Sequence, residues 1–306
     1  MRTALLHLDS ALRSQRELAR TVAGRGGRNL DCRHLGPALR LWSRPAALER
    51  LRSRVGATLP AVDGPFLVFS GSGDFHHITP TLLERACEAA GNPPVTLLHF
   101  DNHPDWVRFS RGAHCGSWVG RAARLPHVAR VVTVGVCSPD VLAPERKGAD
   151  LALVTEDRVE LYAYRAPGGA ATVAVAGHEW PTIEAMGEAA FLDFLPTRIP
   201  TSAVYVTIDK DVLRAADAGT NWDQGRTSLA FLKAMLARIG EGHRVIGADV
   251  VGDWSPAVYG GGLMAGLLKQ GEALLDQPWS RPDATAQAAN QAANLQLLDL
   301  IAGLGR

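Results

Sequence analysis

Six stretches of the chain are apolar almost throughout: PFLVFSG (65–71), VTLLHF (95–100), VARVVTVGV (128–136), ATVAVAG (171–177), AVYVTI (203–208) and RVIGADVVG (244–252). Runs of this length without polar alternation predict strands covered on both faces, as in a parallel sheet. Between them, 82–91, 115–125, 182–195 and 228–240 repeat apolar residues at helical spacing. The first of these helices is expected to start with Thr79 as N-cap and Pro80 at the first helical position. Residues 1–60 are expected to hold a helix or two and an early strand at ALLHLD, and the leucines of 287–304 recur as in a C-terminal helix. The pattern predicts an α/β fold: three α/β/α layers around a mainly parallel, doubly wound sheet. One domain over 1–306 is expected, with 1–60 and 283–306 as helical extensions.

Composition narrows the partners. There are 32 Lys+Arg against 31 Asp+Glu in 306 residues, so overall charge argues for neither nucleic acid nor membrane. Arginines crowd the first 54 residues, but leucines and alanines are interleaved with them, as on a solvated amphipathic helix. Cys32, Cys87, Cys115 and Cys137 form no CxxC pair, which fits a reducing compartment rather than a disulfide framework or a zinc knuckle. The start, MRTALLHLDSALRSQ, lacks the apolar core of a signal peptide, and no apolar run approaches the ~18–20 residues of a membrane span. A cytoplasmic protein acting on a small molecule is expected.

Ligands of open parallel sheets bind at the carboxyl ends of the strands. Those ends carry Asp74, His76 and His77 after 65–71, Asp101, His103 and Asp105 after 95–100, Asp209 and Asp211 after 203–208, and Asp253 after 244–252. Alternate residues of an extended chain point the same way, so 101, 103 and 105 can converge, as can 209 and 211. Crowded carboxylates repel one another unless cations neutralise them. Carboxylate and imidazole without thiolate suit two divalent ions, Mn²⁺ first, with Ni²⁺, Fe²⁺, Co²⁺ and Zn²⁺ as competitors. Taken alone, DNHPD also reads as a polar turn and GSG as a phosphate-binding turn; three such strand ends in one chain favour the metal.

The segments GSGDFHHIT (71–79), DNHPD (101–105) and TIDKDVLRAAD (207–217) resemble, in order, the GGDH, DAHxD and SxDxDxxDP segments of the ureohydrolase family of arginases, agmatinases and formimidoylglutamases. The resemblance implies an arginase-like fold and a binuclear hydrolase of a non-peptide C–N bond in a guanidino, amidino or amide compound. It implies one metal held by His76, Asp101, Asp105 and Asp209 and a second by Asp101, His103, Asp209 and Asp211. Either His76 or His77 fills the first histidine position, and Asp74 then reads as a turn residue. His114 of RGAHCGSW matches the family's proton-shuttling histidine, and Asp105 doubles as a proton acceptor. The family is usually oligomeric, which implies a homo-oligomer.

The pattern breaks where guanidine-cleaving members carry a late glutamate, because that position falls on Gly252. Asp253 is the neighbouring carboxylate, although strand alternation turns it the other way. Asn221 and Asp223 of TNWDQG, with Trp222 between them, are candidate substrate contacts; the same segment also reads as a plain connection. His178 and Glu179 of GHEWP form one more strand-end cluster. The rival readings are a deacetylase-like amidohydrolase with a single zinc and a metal-binding relative without turnover. Retention of all six ligand positions argues against the first, and the intact ligands with His114 against the second.

Overall fold

A computed structural model of the chain describes residues 1–59, 64–278 and 284–304. Eight strands form one sheet: β1 (Arg2–His7), β2 (Arg28–Asp31), β3 (Phe66–Phe69), β4 (Val95–Phe100), β5 (Val128–Val136), β6 (Val159–Ala163), β7 (Ala203–Asp209) and β8 (Arg244–Val251). Their order is β2-β1-β3-β8-β7-β4-β5-β6, and every neighbouring pair is parallel. The inner strands β3, β4 and β7 are buried along their whole length, as their unbroken apolar runs require.

Helices cover the sheet. Numbered in chain order, they are α1 (Arg16–Gly24), α2 (Pro45–Thr58), α3 (Thr79–Ala89), α4 (Trp118–Ala123), α5 (Leu229–Gly242), α6 (Leu263–Asp276) and α7 (Ala284–Leu304), with shorter helical turns between. Helix α7 packs on both α1 and α5, and α3 packs with α4 as a second group. The expected C-terminal extension is α7; residues 283, 305 and 306 lie outside the described residues, as does residue 60.

Several local expectations need correction. The run 171–177 does not join the sheet. Thr172–Val175 instead pairs antiparallel with His178–Pro181 around Ala176 and Gly177, whose φ angles are 50° and 83°. Positive φ at both central residues is what a two-residue hairpin turn demands. The hairpin takes His178 and Glu179 out of contention: His178 stacks on Trp180, and Glu179 accepts a hydrogen bond from Thr172. The helix expected over 182–195 breaks at Gly187, where φ is 86°. Thr79 is already helical rather than a cap, and its hydroxyl donates to Asp249 at 2.9 Å.

Helix α6 has an unusual surface. Ala265 and Lys269 are its buried residues, while Leu263, Met264, Leu267, Leu268, Leu274 and Leu275 are all exposed, Leu275 by 87%. No described helix is long and apolar enough to cross a membrane.

Candidate metal centre

The carboxyl ends of β3, β8, β7 and β4 adjoin, and the polar cluster stands there. The two aspartate motifs use the same local device. Asp101, just past β4, accepts the N–H of His103 at 2.7 Å through Oδ1. Asp209, the last residue of β7, accepts the N–H of Asp211 at 3.0 Å through Oδ1. A carboxylate bonding the backbone two residues on closes a turn. The side chains therefore converge because the chain turns, not because it stays extended as alternation suggests. Asp105 completes the turn with φ of 49°, and the Trp118 indole N–H donates to its Oδ2 at 2.6 Å.

The helical turn Gly73–Ile78 brings His76 to the same place. Nε2 of His76 lies 2.9 Å from the Thr207 hydroxyl, which itself donates to Asp249 at 3.0 Å. Thr207 can then only accept from His76, so Nε2 carries the hydrogen and the Nδ1 lone pair points inward. Nδ1 stands 3.1 Å from Asp101 Oδ2, 3.4 Å from Asp105 Oδ2 and 3.7 Å from Asp209 Oδ2. It is buried and has no hydrogen-bond partner. A lone pair aimed among three carboxylates is repelled by all of them, and a cation between them removes the conflict. With all-oxygen and nitrogen donors, the residues fit divalent ions. Of the two histidine candidates, His76 faces the carboxylates; both ring nitrogens of His77 are buried without partners and outside the cluster.

Among the described residues, ligand-competent atoms fall into two groups sharing Asp101: His76, His99, Asp101 and Asp105, and Asp101, His103 and Asp211; Asp209, expected in both, belongs to neither. In the second, His103 Nδ1 lies 2.9 Å from Asp211 Oδ2. His99 was not among the sequence candidates. Its Nε2 is 2.8 Å from Asp101 Oδ2, and Nδ1 is 3.1 Å from the Thr133 hydroxyl. The signal was its place two residues before Asp101, hidden inside an otherwise apolar run. Trp118 was likewise missed; its ring packs on both His76 and His99, with centroids 4.6 and 4.9 Å away.

Asp209 is held between two glycines. A Cβ on Gly73 would meet its Oδ2 at 2.3 Å, and one on Gly252 would meet its Oδ1 at 2.4 Å. Gly252 also has φ of 93°, where a side chain is strained. No glutamate fits at 252 on this backbone.

The three substrate-contact candidates separate. Asp223 lines the cavity and holds His103 in place, with Oδ1 2.9 Å from Nε2. Asn221 is a brace instead: its Oδ1 accepts from Ser72 and from the Ser255 N–H, and its Nδ2 donates to the Ser255 carbonyl. Asp253 is corrected too. Its carboxylate takes the Nζ of buried Lys210 and the side-chain N–H of Asn294 on α7, away from the cavity. Asp74 is more than a turn residue, since Arg40 Nε at 2.6 Å and the Trp222 indole N–H at 2.9 Å both bind it.

The cluster opens into a cavity of about 780 Å³. His114 lines it from a two-residue strand paired with Trp42–Ser43. The Gly116 N–H donates to His114 Nδ1 at 2.8 Å, so Nε2 bears the hydrogen, which goes to Glu272 Oε1 of α6. Glu272 was not a sequence candidate, because nothing in LMAGLLKQGEALLD marks it.

Charge crowding is severe without cations. Burial and then the Asp101 charge push Asp209 up to about 7. The same two causes raise Asp105, and burial with Asp101 and Asp209 raises Asp211. Burial opposes charge on His76 and His103, yet the neighbouring carboxylates raise both well above the imidazole range. Asp101 goes the other way: burial works against it, but His99 and the surrounding hydrogen bonds hold it well below the usual carboxylate range. Five raised groups mean that the metal-free fold binds more protons than the unfolded chain, and loses stability as pH rises through their folded values. Bound cations replace those protons. Thermal denaturation with and without chelator is therefore expected to differ by about 5 °C or more at pH 8. The difference is expected to narrow toward pH 5; a gap independent of pH contradicts the arrangement.

The Arginase family model matches residues 7–258. A protein of Thermotoga maritima described as uncharacterized is 27% identical over 194 residues, 63% of this chain; the chain spans about 60% of the length of that curated relative. Among solved structures, proclavaminate amidino hydrolase from Streptomyces clavuligerus is 17% identical, with 94% of this chain and 91% of that one covered at a TM-score of 0.56. Arginase from Bacillus subtilis is 14% identical, with 100% and 98% covered at 0.58. A hypothetical agmatinase from Burkholderia thailandensis is 19% identical, with 100% and 88% covered at 0.56. The structural likenesses are of fold, and the family model spans all six motif positions: the chain belongs to the arginase family.

Proposed function

We propose that the chain hydrolyses a non-peptide C–N bond in a guanidino, amidino or amide compound, using two divalent cations, Mn²⁺ first. The reading is carried by the unpartnered Nδ1 of His76 among three aspartates at the floor of a substrate-sized cavity. His76, Asp101, Asp105 and Asp209 would hold one ion, with His99 beside them, and Asp101, His103, Asp209 and Asp211 the other. When bound there, the cations supply an activated water and neutralise negative charge as it develops.

The remaining work falls to side chains. Thr207 and Asp249 fix the His76 tautomer, and Asp223 fixes the ring of His103. Asp105 accepts the proton released when water adds to the planar carbon, with Trp118 holding its Oδ2. His114 delivers its Nε2 proton to the departing nitrogen from the imidazolium form, in which Nδ1 also carries a hydrogen and releases the Gly116 N–H, and is left as the neutral ring. The Trp222 ring packs against His103 at a steep angle, 5.8 Å between centroids. The names of the solved relatives support amidino and guanidino compounds as the first to try.

The test is release of urea, formamide or ammonia from a panel of guanidino, formimino and amide compounds by Mn²⁺- and Ni²⁺-loaded protein. Elemental analysis is expected to find about two ions per chain. A single zinc, or no turnover of any class with two ions bound, refutes the proposal.

A further inference from the structure

Helix α6 adds a carboxylate that the strand-end motifs do not supply. The end of β8 cannot offer one to the cavity, since Gly252 has no room for a side chain and Asp253 is turned to Lys210. Glu272 reaches the cavity from α6 instead, and Asp276, one turn further, lines it as well. The helix is fixed at this point. Lys269, three residues earlier, is fully buried, donates to the carbonyls of Ala38 at 2.9 Å and Pro37 at 3.3 Å, and lies 4.7 Å from the centre of the Trp42 ring.

Glu272 is about a quarter exposed, and its Oε1 takes the Nε2 hydrogen of His114. A carboxylate has about four lone-pair positions, so one bond to histidine leaves room for another planar donor. The surroundings select the sign of that donor. Lys147 is the one Lys or Arg among the described residues lining the cavity, and it is paired with Asp140 at 3.2 Å. Glu272 and Asp276 share a helix face at i and i+4, where like charges repel. Burial raises Asp276, and Glu272 raises it further.

We propose that Glu272 is a substrate-binding residue that selects a planar cation, an amidinium or guanidinium, over its neutral isostere, while its other oxygen keeps His114 protonated at Nε2. The assignment rests on the hydrolase reading above and narrows its substrate class. Two N–H donors of the cation meet the carboxylate in its plane in charge-assisted bonds, whereas a urea offers the same edge only with neutral donors, which bind about half as strongly.

Calorimetric binding of butylguanidine and of its neutral isostere butylurea to the full-length, metal-loaded protein tests this. The wild type is expected to favour butylguanidine by about 10- to 100-fold, the range for a charged hydrogen bond. Glu272→Gln is expected to bring the two within about twofold while retaining both metal ions, and Glu272→Asp to recover part of the preference. His114→Ala is expected to keep the preference; its loss there would make Glu272 a support for His114 alone and overturn the proposal. Equal affinities in the wild type, or an undiminished preference in Glu272→Gln, also overturn it. The two readings fail separately. Turnover of neutral amides without cation preference removes the role of Glu272 and leaves the hydrolase, whereas cation preference without turnover does the reverse.

Discussion

Asp101→Asn and Asp209→Asn are each expected to strip the chain of bound metal and to lower kcat by about 10²- to 10³-fold or more. The amide has nearly the shape of the carboxylate, so the change removes charge rather than volume. Asp101 is the one residue common to both groups of ligand-competent atoms, and its Oδ1 also fixes the turn to His103. Asp209 faces His76 with one oxygen while the other holds the Asp211 N–H. In the proposed centre neither residue would act on one ion alone. Removing the charge weakens both positions and leaves buried imidazoles without their counter-charge, a loss larger than the ~10- to 100-fold typical of outer partners. Elemental analysis after gel filtration, with activity measured alongside, decides the matter: two ions and full activity in either variant place the centre elsewhere.

Gly252→Glu looks like the restoration of a family residue, and it is expected to destroy the site. A Cβ at 252 would lie 2.4 Å from Asp209 Oδ1 and 2.4 Å from the Lys210 amide nitrogen. Half of that obstruction is backbone and cannot rotate away. The φ of 93° adds strain of about 1–3 kcal/mol for any side chain. Relieving the overlap adds about 1–3 kcal/mol more. Gly252→Ala is therefore expected to lower Tm by several degrees and Gly252→Glu by more, both with loss of metal and neither with a gain in guanidine binding. Thermal melts paired with metal analysis read this out, and a Gly252→Glu protein with unchanged Tm and two ions contradicts the packing described.

The central strands were legible because burial on both faces leaves them almost wholly apolar, as in 95–100 and 203–208. The edges were not. Arg28–Asp31 is polar because an edge strand meets water, and Val159–Ala163 carries Glu160, whose charge is met by Arg130 and Arg198. Strand-end position and alternate spacing pointed to His76, Asp101, His103, Asp105, Asp209 and Asp211, although the turn that gathers them is closed by side-chain to backbone bonds that spacing alone does not encode. His99 stayed hidden because a histidine inside an apolar run reads as core. Glu272 stayed hidden for a different reason: its chemistry comes from a contact with His114 across 158 positions of chain. Asp253 shows the limit from the other side, since only the fold reveals that a strand-end carboxylate faces a buried lysine.

The cavity has two authors within one chain. Its floor is written by β4 and β7, inner strands that cannot change without disturbing the sheet. Part of its wall is the separate stretch after β8, where α6 is buried only through Ala265 and Lys269. Residues 256–278 are thus one contiguous segment whose exchange would reshape the wall, and with it the Glu272 contact to His114, while the aspartates and histidines at the strand ends stay in place.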